Sequence, residues 1–221
     1  MSGLNASKAS DDLQVKLSAE IKRLATGIKP PMSPYSGDEE ERHCLSEIIP
    51  GKLILTGWKG AYYREAVQAA GVTHVASIGS EFEGETPLAD LGISYLCVII
   101  DDEEEQASTM QDNLKRAVDF LDEGVGGGGK ALVHCAAGIS RSTTVVLAYM
   151  VAKCDMTLLD AFRRTYAARP VVWPNTGFMK ILIAWETSIS KKPATVRLSQ
   201  YKLWSDHDPK QYALAKVVDR D

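Results

Sequence analysis

One nine-residue run constrains this chain more than anything else in it: His134-Cys135-Ala136-Ala137-Gly138-Ile139-Ser140-Arg141-Ser142. It follows a short apolar run, 131–134, that reads as a buried strand. It opens a stretch, 142–153, that is apolar on nearly every side and reads as a buried helix. Between strand and helix, Ala136, Ala137, Gly138, Ile139 and Ser140 can wrap so that their backbone N–H groups point inward and form a concave anion site. The helix adds the positive end of its dipole and its unpaired N–H groups. Gly138 permits a turn that a side chain would obstruct. Arg141 returns to the rim, where its planar fork can grip two phosphoryl oxygens at once, as a lysine cannot.

The same field favours the thiolate of Cys135, which makes it a candidate nucleophile. Ser142 can donate a hydrogen bond to the sulfur when it becomes a leaving group. His134 is expected in a supporting role, holding the orientation of the cysteine through a backbone contact. A bare Cys-x5-Arg would fit an ordinary buried cysteine with an arginine nearby. The complete run, with its strand and helix, sets that reading aside.

Phosphoryl transfer to a thiolate also needs an acid for the leaving oxygen. Asp101-Asp102-Glu103-Glu104-Glu105 follows the apolar segment 95–100, where a sheet edge near the phosphate loop is expected. Crowded like charges help one member keep its proton. The residues alone leave Asp101 and Asp102 both open.

A second glycine-bearing run must be rejected. Gly124-Val125-Gly126-Gly127-Gly128-Gly129-Lys130 imitates a nucleotide-binding P-loop. The next residue is Ala131, with no hydroxyl for magnesium, and the run precedes a strand where a P-loop must follow one. It reads as a helix-to-strand connection.

The rest of the chain alternates. Strands are expected at 52–56, 73–78 and 94–100, and helices at 62–70, 110–121, 157–168 and 178–188. This is an α/β fold with a central, mostly parallel sheet flanked by helices. Residues 1–43 read as an extension. Leu13, Leu17, Ile21, Leu24 and Ile28 mark a helix expected to dock on the domain, followed by an acidic, proline-bearing linker at 30–41. A catalytic domain is expected over 44–190 and a polar tail over 191–221. Tyr201, Trp204 and Tyr212 imply that part of the tail packs on something.

With 25 Lys+Arg against 29 Asp+Glu the chain carries a net charge of −4, without the basic footprint of a nucleic-acid or anionic-membrane binder. It has no apolar run long enough to span a bilayer and no secretory signal pattern at its start. Its four cysteines are scattered, with no Cys-x-x-Cys and no Cys/His cluster. That fits reduced thiols in a cytoplasmic or nuclear setting, and neither a disulfide framework nor a metal site.

The run 134–142 resembles the signature of the dual-specificity protein phosphatases, within the protein tyrosine phosphatase superfamily. The likeness extends over about 45–190. Residues 46–56 resemble the opening strand segment, and Ile93-Ser94-Tyr95-Leu96 followed by Asp102 resembles the strand-to-acid-loop segment. Pro174-Asn175-Thr176-Gly177-Phe178-Met179 resembles the start of the last helix. Spacing from Tyr95 then favours Asp102 over Asp101. The resemblance implies a fold of the cysteine-phosphatase type and a cofactor-free, metal-independent reaction in two steps. Cys135 forms a phosphocysteine while Asp102 protonates the leaving oxygen. Asp102 then activates water. Two departures stand out: a longer acid loop, and Arg169-Pro170-Val171-Val172-Trp173 before Pro174, where Trp173 is expected as a core aromatic.

Lipid-directed relatives carry lysine inside the loop, whereas Ala136, Ala137, Ile139 and Ser140 are uncharged. The resemblance therefore implies phosphoprotein substrates, with phosphotyrosine and phosphoserine or phosphothreonine as targets, and an atypical, stand-alone member. Phosphoinositide, phosphoglucan and a non-catalytic phosphate-reading scaffold are the alternatives. Lys191-Lys192 followed by Val196-Arg197-Leu198 has the layout of a docking peptide for a mitogen-activated protein kinase, a short pattern that also arises by chance.

Overall fold

The apolar run before Cys135 becomes the middle of a five-stranded sheet in a computed structural model that describes residues 44–100, 107–199 and 201. The strands are β1 (Ser46–Ile49), β2 (Leu53–Gly57), β3 (His74–Ile78), β4 (Ser94–Val98) and β5 (Ala131–Cys135), in the order β1-β2-β5-β3-β4. β1 pairs antiparallel with β2, and every other pairing is parallel. The mostly parallel sheet expected from the alternation of elements is therefore found. All five residues of β5 are buried, as a strand covered on both faces requires.

Period-two alternation distributes the side chains. Leu53, Leu55, Ala131, Val133 and Cys135 join one core, and Ile54 and Leu132 join another. The larger core lies under helices α3 (Ala107–Gly126), α4 (Arg141–Lys153), α5 (Leu158–Ala168) and α6 (Thr176–Ser190). The smaller lies under α1 (Trp58–Ala61) and α2 (Arg64–Ala70). The result is a layer of helices on each face of the sheet.

Local chemistry sets the boundaries. α2 stops at Gly71, in the left-handed conformation at φ 68°, whose N–H turns back to Gln68 and Val67. Thr157 caps α5 by accepting the Asp160 N–H, and Asn175 caps α6 by accepting the Phe178 N–H. α4 is buried continuously from Arg141 to Val151, as its lack of a polar face implied. Two boundaries differ from expectation. The helix expected from residue 62 begins at Arg64, because Tyr63 is extended (φ −81°, ψ 97°), and the single turn α1 precedes it. The strand expected to reach residue 100 stops at Val98, beyond which Ile99 turns out to solvent.

The parallel register puts the carboxyl ends of β2, β3, β4 and β5 on one edge of the sheet, where open α/β sheets carry their sites. The helix and linker expected within 1–43, the acid run with Asp101 and Asp102, and Trp204 and Tyr212 lie outside the described residues. The segment after α6 folds back on the domain: Val196 and Tyr201 are buried in the larger core and Leu198 packs against it. The apolar residues of the candidate docking peptide are thus engaged within the chain itself.

Candidate active site

The loop from Ala136 to Ser140 leaves β5 and enters α4, and its geometry follows from where its five carbonyls are bonded. Ala136 O accepts the Trp58 N–H at 3.2 Å, and Ile139 O accepts the Trp173 N–H at 2.8 Å. Ala137 O and Gly138 O accept Arg169 Nη2 and Nε at 3.1 and 2.9 Å. Ser140 O accepts both the N–H and the hydroxyl of Thr144, each at 2.9 Å. Every carbonyl is held by an element outside the ring. A trans peptide sets its N–H opposite its C=O, so the N–H groups of residues 137–141 face the inside. One of them, on Gly138, donates to Cys135 Sγ at 3.3 Å.

Gly138 is indispensable to this path. Its φ is +68°, and a Cβ there would overlap Thr56 O and stand 2.8 Å from Gly57 N, both backbone atoms of β2. Ser140, which precedes α4, makes no side-chain cap with the helix N–H groups, and its hydroxyl accepts the Asn175 N–H at 3.1 Å instead. The first turn of α4 therefore keeps its N–H groups for an anion.

Cys135 lies at the floor, 2 % exposed, and also receives the Ser142 hydroxyl at 3.2 Å. Arg141 opens α4 and is almost fully buried. Its Nη1 lies 2.8 Å from each carboxylate oxygen of Glu81, in the 3₁₀ turn Ser80–Phe82 after β3. Glu81 comes from the same carboxyl edge of the sheet and holds the guanidinium at the rim.

His134 points to the opposite face of β5, toward β3. Its Nε2 meets the Ser77 hydroxyl at 2.8 Å, and the rings of Phe82 and Tyr62 lie edge-on, with centroids at 4.8 and 5.8 Å. Burial pushes its pKa down to about 4; the Cys135 backbone opposes this and the Arg141 charge adds to it. It is a neutral histidine above that pH. The Tyr62 hydroxyl hydrogen-bonds Glu85, and burial, followed by that bond, raises its pKa.

The structure therefore brings together Cys135, the loop 136–140, Arg141 and Ser142, with His134 directly behind, while Asp102 lies outside the described residues. Two residues escaped the sequence reading. Glu81 had only its place after a strand to mark it. Arg169 stood in the unusual segment before Pro174 and is 3 % exposed, tying two loop carbonyls and, through Nη1, Ser46 Oγ at 3.3 Å. Trp173 is the aromatic packed on the core that was expected, with its ring edge-on to Phe162. All four cysteines are free, and among the described residues no group of three or more His, Cys, Asp or Glu side chains could hold a metal ion. Chemically, the ring of N–H groups, the helix end and the guanidinium form a receptor for one tetrahedral oxyanion in contact with a sulfur.

Comparison with known proteins bears on the family and the fold. The family model described as "Dual specificity phosphatase, catalytic domain" matches residues 53–188. The human dual specificity protein phosphatase 26 is 37% identical over 153 residues, which cover 68% of this chain and 70% of the relative. Among solved structures, human DUSP28 superposes with a TM-score of 0.61 at 27% identity, covering 73% of this chain and 99% of that one. A mouse putative dual specificity phosphatase complexed with zinc tungstate superposes with a TM-score of 0.62 at 26% identity, covering 71% of this chain and 95% of that one.

Proposed function

The chain belongs to the dual specificity phosphatases, hydrolases of phosphoproteins, and from that premise we propose that it works through a phosphocysteine formed on Cys135. In the first step the Cys135 sulfur attacks phosphorus, a P–S bond forms and the P–O bond to the substrate breaks. Asp102 gives its proton to the departing oxygen. The charge on the transferring phosphoryl group is met by the inward N–H groups and by the fork of Arg141. In the second step Asp102 takes a proton from water, the water oxygen attacks phosphorus and the P–S bond breaks. The Ser142 hydroxyl, 3.2 Å from Sγ, donates to the leaving sulfur. These groups supply the charge stabilisation themselves, so the proposed reaction calls for no metal.

The observation that carries this reading is the outward bonding of all five loop carbonyls around the Cys135 sulfur. Tungstate, present in the mouse relative's crystal, is a tetrahedral oxyanion of the same kind as phosphate. Ala136, Ala137, Ile139 and Ser140 put no cation into the ring, which suits one phosphoryl group on a protein side chain better than the several of a phosphoinositide.

The test is hydrolysis of an aryl phosphate by the purified full chain with a chelator present. Turnover is expected without added metal, and Cys135→Ser is expected to lower kcat at least about 10³-fold while phosphopeptide binding survives. Acid quenching in the first turnover is expected to trap a phosphoryl group on Cys135. Activity that needs added metal, or that persists in Cys135→Ser, would contradict the mechanism.

A further inference from the structure

The family match ends at residue 188, yet the chain beyond it is built into the fold at specific points. α6 closes with Lys191 in the left-handed conformation (φ 57°), which turns the chain back toward the domain. Thr195 is then fixed from two sides. Its N–H and hydroxyl each donate to the buried Glu186 carboxylate at 2.8 Å, and its hydroxyl accepts the Leu159 N–H at 3.1 Å. Glu186 also accepts the Leu158 N–H at 2.8 Å, so one carboxylate joins the start of α5, α6 and the returning segment. Val196 enters the core next. The segment then reaches Tyr201, 1 % exposed.

Tyr201 lands on one particular place. Its ring stacks on Trp173, with centroids 4.9 Å apart and planes 15° from parallel, and stands edge-on to Phe162 at 6.1 Å. Its hydroxyl donates to Pro174 O at 2.5 Å. Trp173 and Pro174 belong to the stretch 169–175 that encloses the phosphate loop from behind. Within it, Arg169 holds Ala137 O and Gly138 O, the Trp173 N–H holds Ile139 O, and the Asn175 N–H holds the Ser140 hydroxyl. Three of the five carbonyls that must face outward are bonded by this stretch. Tyr201 is the layer behind it. Stacking fixes the plane of Trp173, and the hydroxyl fixes the carbonyl next to it.

We propose that Tyr201 is a positioning residue for the phosphate loop, so that the segment 191–201, outside the matched catalytic domain, is part of the catalytic unit. This rests on the loop being the phosphoryl-binding site. Tyr201 touches no substrate and acts through Trp173 and Pro174. Burial raises the pKa of its hydroxyl, which keeps it a donor over the working range of the enzyme. A loop displaced by a fraction of an ångström loses alignment between its N–H groups and the phosphoryl oxygens, and misplacement of that kind costs rate more than it costs stability.

The experiment compares three full-length variants with the parent chain. Tyr201→Phe keeps the stack and removes the donor, Tyr201→Ala removes both, and Ile189→Ala alters an exposed apolar residue near the same helix end. The readouts are kcat and KM for an aryl phosphate, the inhibition constant of tungstate, and Tm, with assays run well below each Tm. Tyr201→Ala is expected to lower kcat about tenfold and weaken tungstate about tenfold, consistent with partial loss of oriented donors. Tyr201→Phe is expected to show a two- to threefold change in the same direction, about the share of one hydrogen bond, and Ile189→Ala none. A lowered Tm with kcat and the tungstate constant unchanged would mean a purely structural residue and overturn the proposal. Should Tyr201→Ala not fold, Tyr201→Phe decides alone, and parental values for it overturn the proposal. If the parent chain neither turns over aryl phosphate nor binds tungstate, the phosphatase reading and the proposal fall together. If the parent is active and tungstate-sensitive and the variants match it, only the role of Tyr201 falls.

Discussion

Strand β5 is entered through one glycine-bearing loop and left through another, and the two do opposite things with their backbone. Before the strand, the N–H groups of Gly127, Gly128 and Gly129 are taken up by the carbonyls of Glu123, Val125 and Gly124, at the C-terminal end of α3. After the strand, the loop gives its carbonyls away to other elements and turns its N–H groups inward, that of Gly138 onto the sulfur of Cys135. The first loop also faces the negative end of a helix and the second the positive end of one. The first is wetter: Lys130 pairs with the half-exposed Glu47 at 3.1 Å and, chiefly through that bond, holds its carboxyl below the ordinary range. At the other end, His134 and Cys135 are buried. Glycine content does not make an anion site. The fate of the carbonyls and the direction of the neighbouring helix do.

Substitutions can break this contrast. The largest effect is expected for Gly138→Ala, whose new Cβ would strike the β2 backbone from a left-handed residue. A loss of about 3 to 4 kcal/mol in stability and at least about 100-fold in kcat/KM is expected, measurable by denaturant melts and steady-state assay. An active, stable Gly138→Ala would mean that the loop path is wrong.

The next concerns pH. The folded pKa of His134 is about 4, below its unfolded value near 6.5, so the unfolded chain binds the extra proton first as pH falls. The stability associated with neutral His134 is present above pH ~6.5 and is lost as pH drops toward 4, about 3 kcal/mol across that window. His134→Gln, which cannot protonate, is expected to lose that much less than the parent chain between pH 7 and 4. Parallel pH–stability curves for the two would place the histidine in water.

A smaller effect is expected at Arg169. Lysine in its place can reach one of the two loop carbonyls but not both in plane, so Arg169→Lys is expected to cost about 2 kcal/mol and about tenfold in kcat. An unchanged kcat would mean that the loop holds its shape without the tether. The smallest effect sharpens the comparison from its other side. Gly128 has φ +81°, but a Cβ added there would meet nothing within 4 Å, so Gly128→Ala is expected to cost about 1 kcal/mol and leave kcat as it was. A drop in kcat there would mean that the entry loop contributes to catalysis.

What the sequence revealed and what it concealed divide along the same physical line. β5, the loop 136–140, Arg141, Ser142 and α4 are contiguous, and their chemistry is written in adjacent residues. The false P-loop at 124–130 could be rejected for the same reason, since strand-before-loop order is visible in one dimension. Arg169 and Glu81 reach the site only through the fold. Nothing local separates a buried arginine that ties carbonyls from a solvated one, or an acid that holds Arg141 from any other acid after a strand. His134 was expected at the cysteine backbone; the partner of its ring, Ser77 on β3, is a neighbour that only the strand order supplies. Tyr201 could be recognised as an aromatic needing a partner, while the partner itself, Trp173, became visible only in three dimensions.

The most direct test is a crystal structure of the full chain with tungstate bound. The expected result is one tetrahedral oxyanion above the Cys135 sulfur, its oxygens within about 3 Å of the N–H groups of residues 137–141 and of the Arg141 fork. An anion bound elsewhere while the ring stays empty, or loop carbonyls turned toward it, would contradict the anion-receptor geometry on which the chemistry depends.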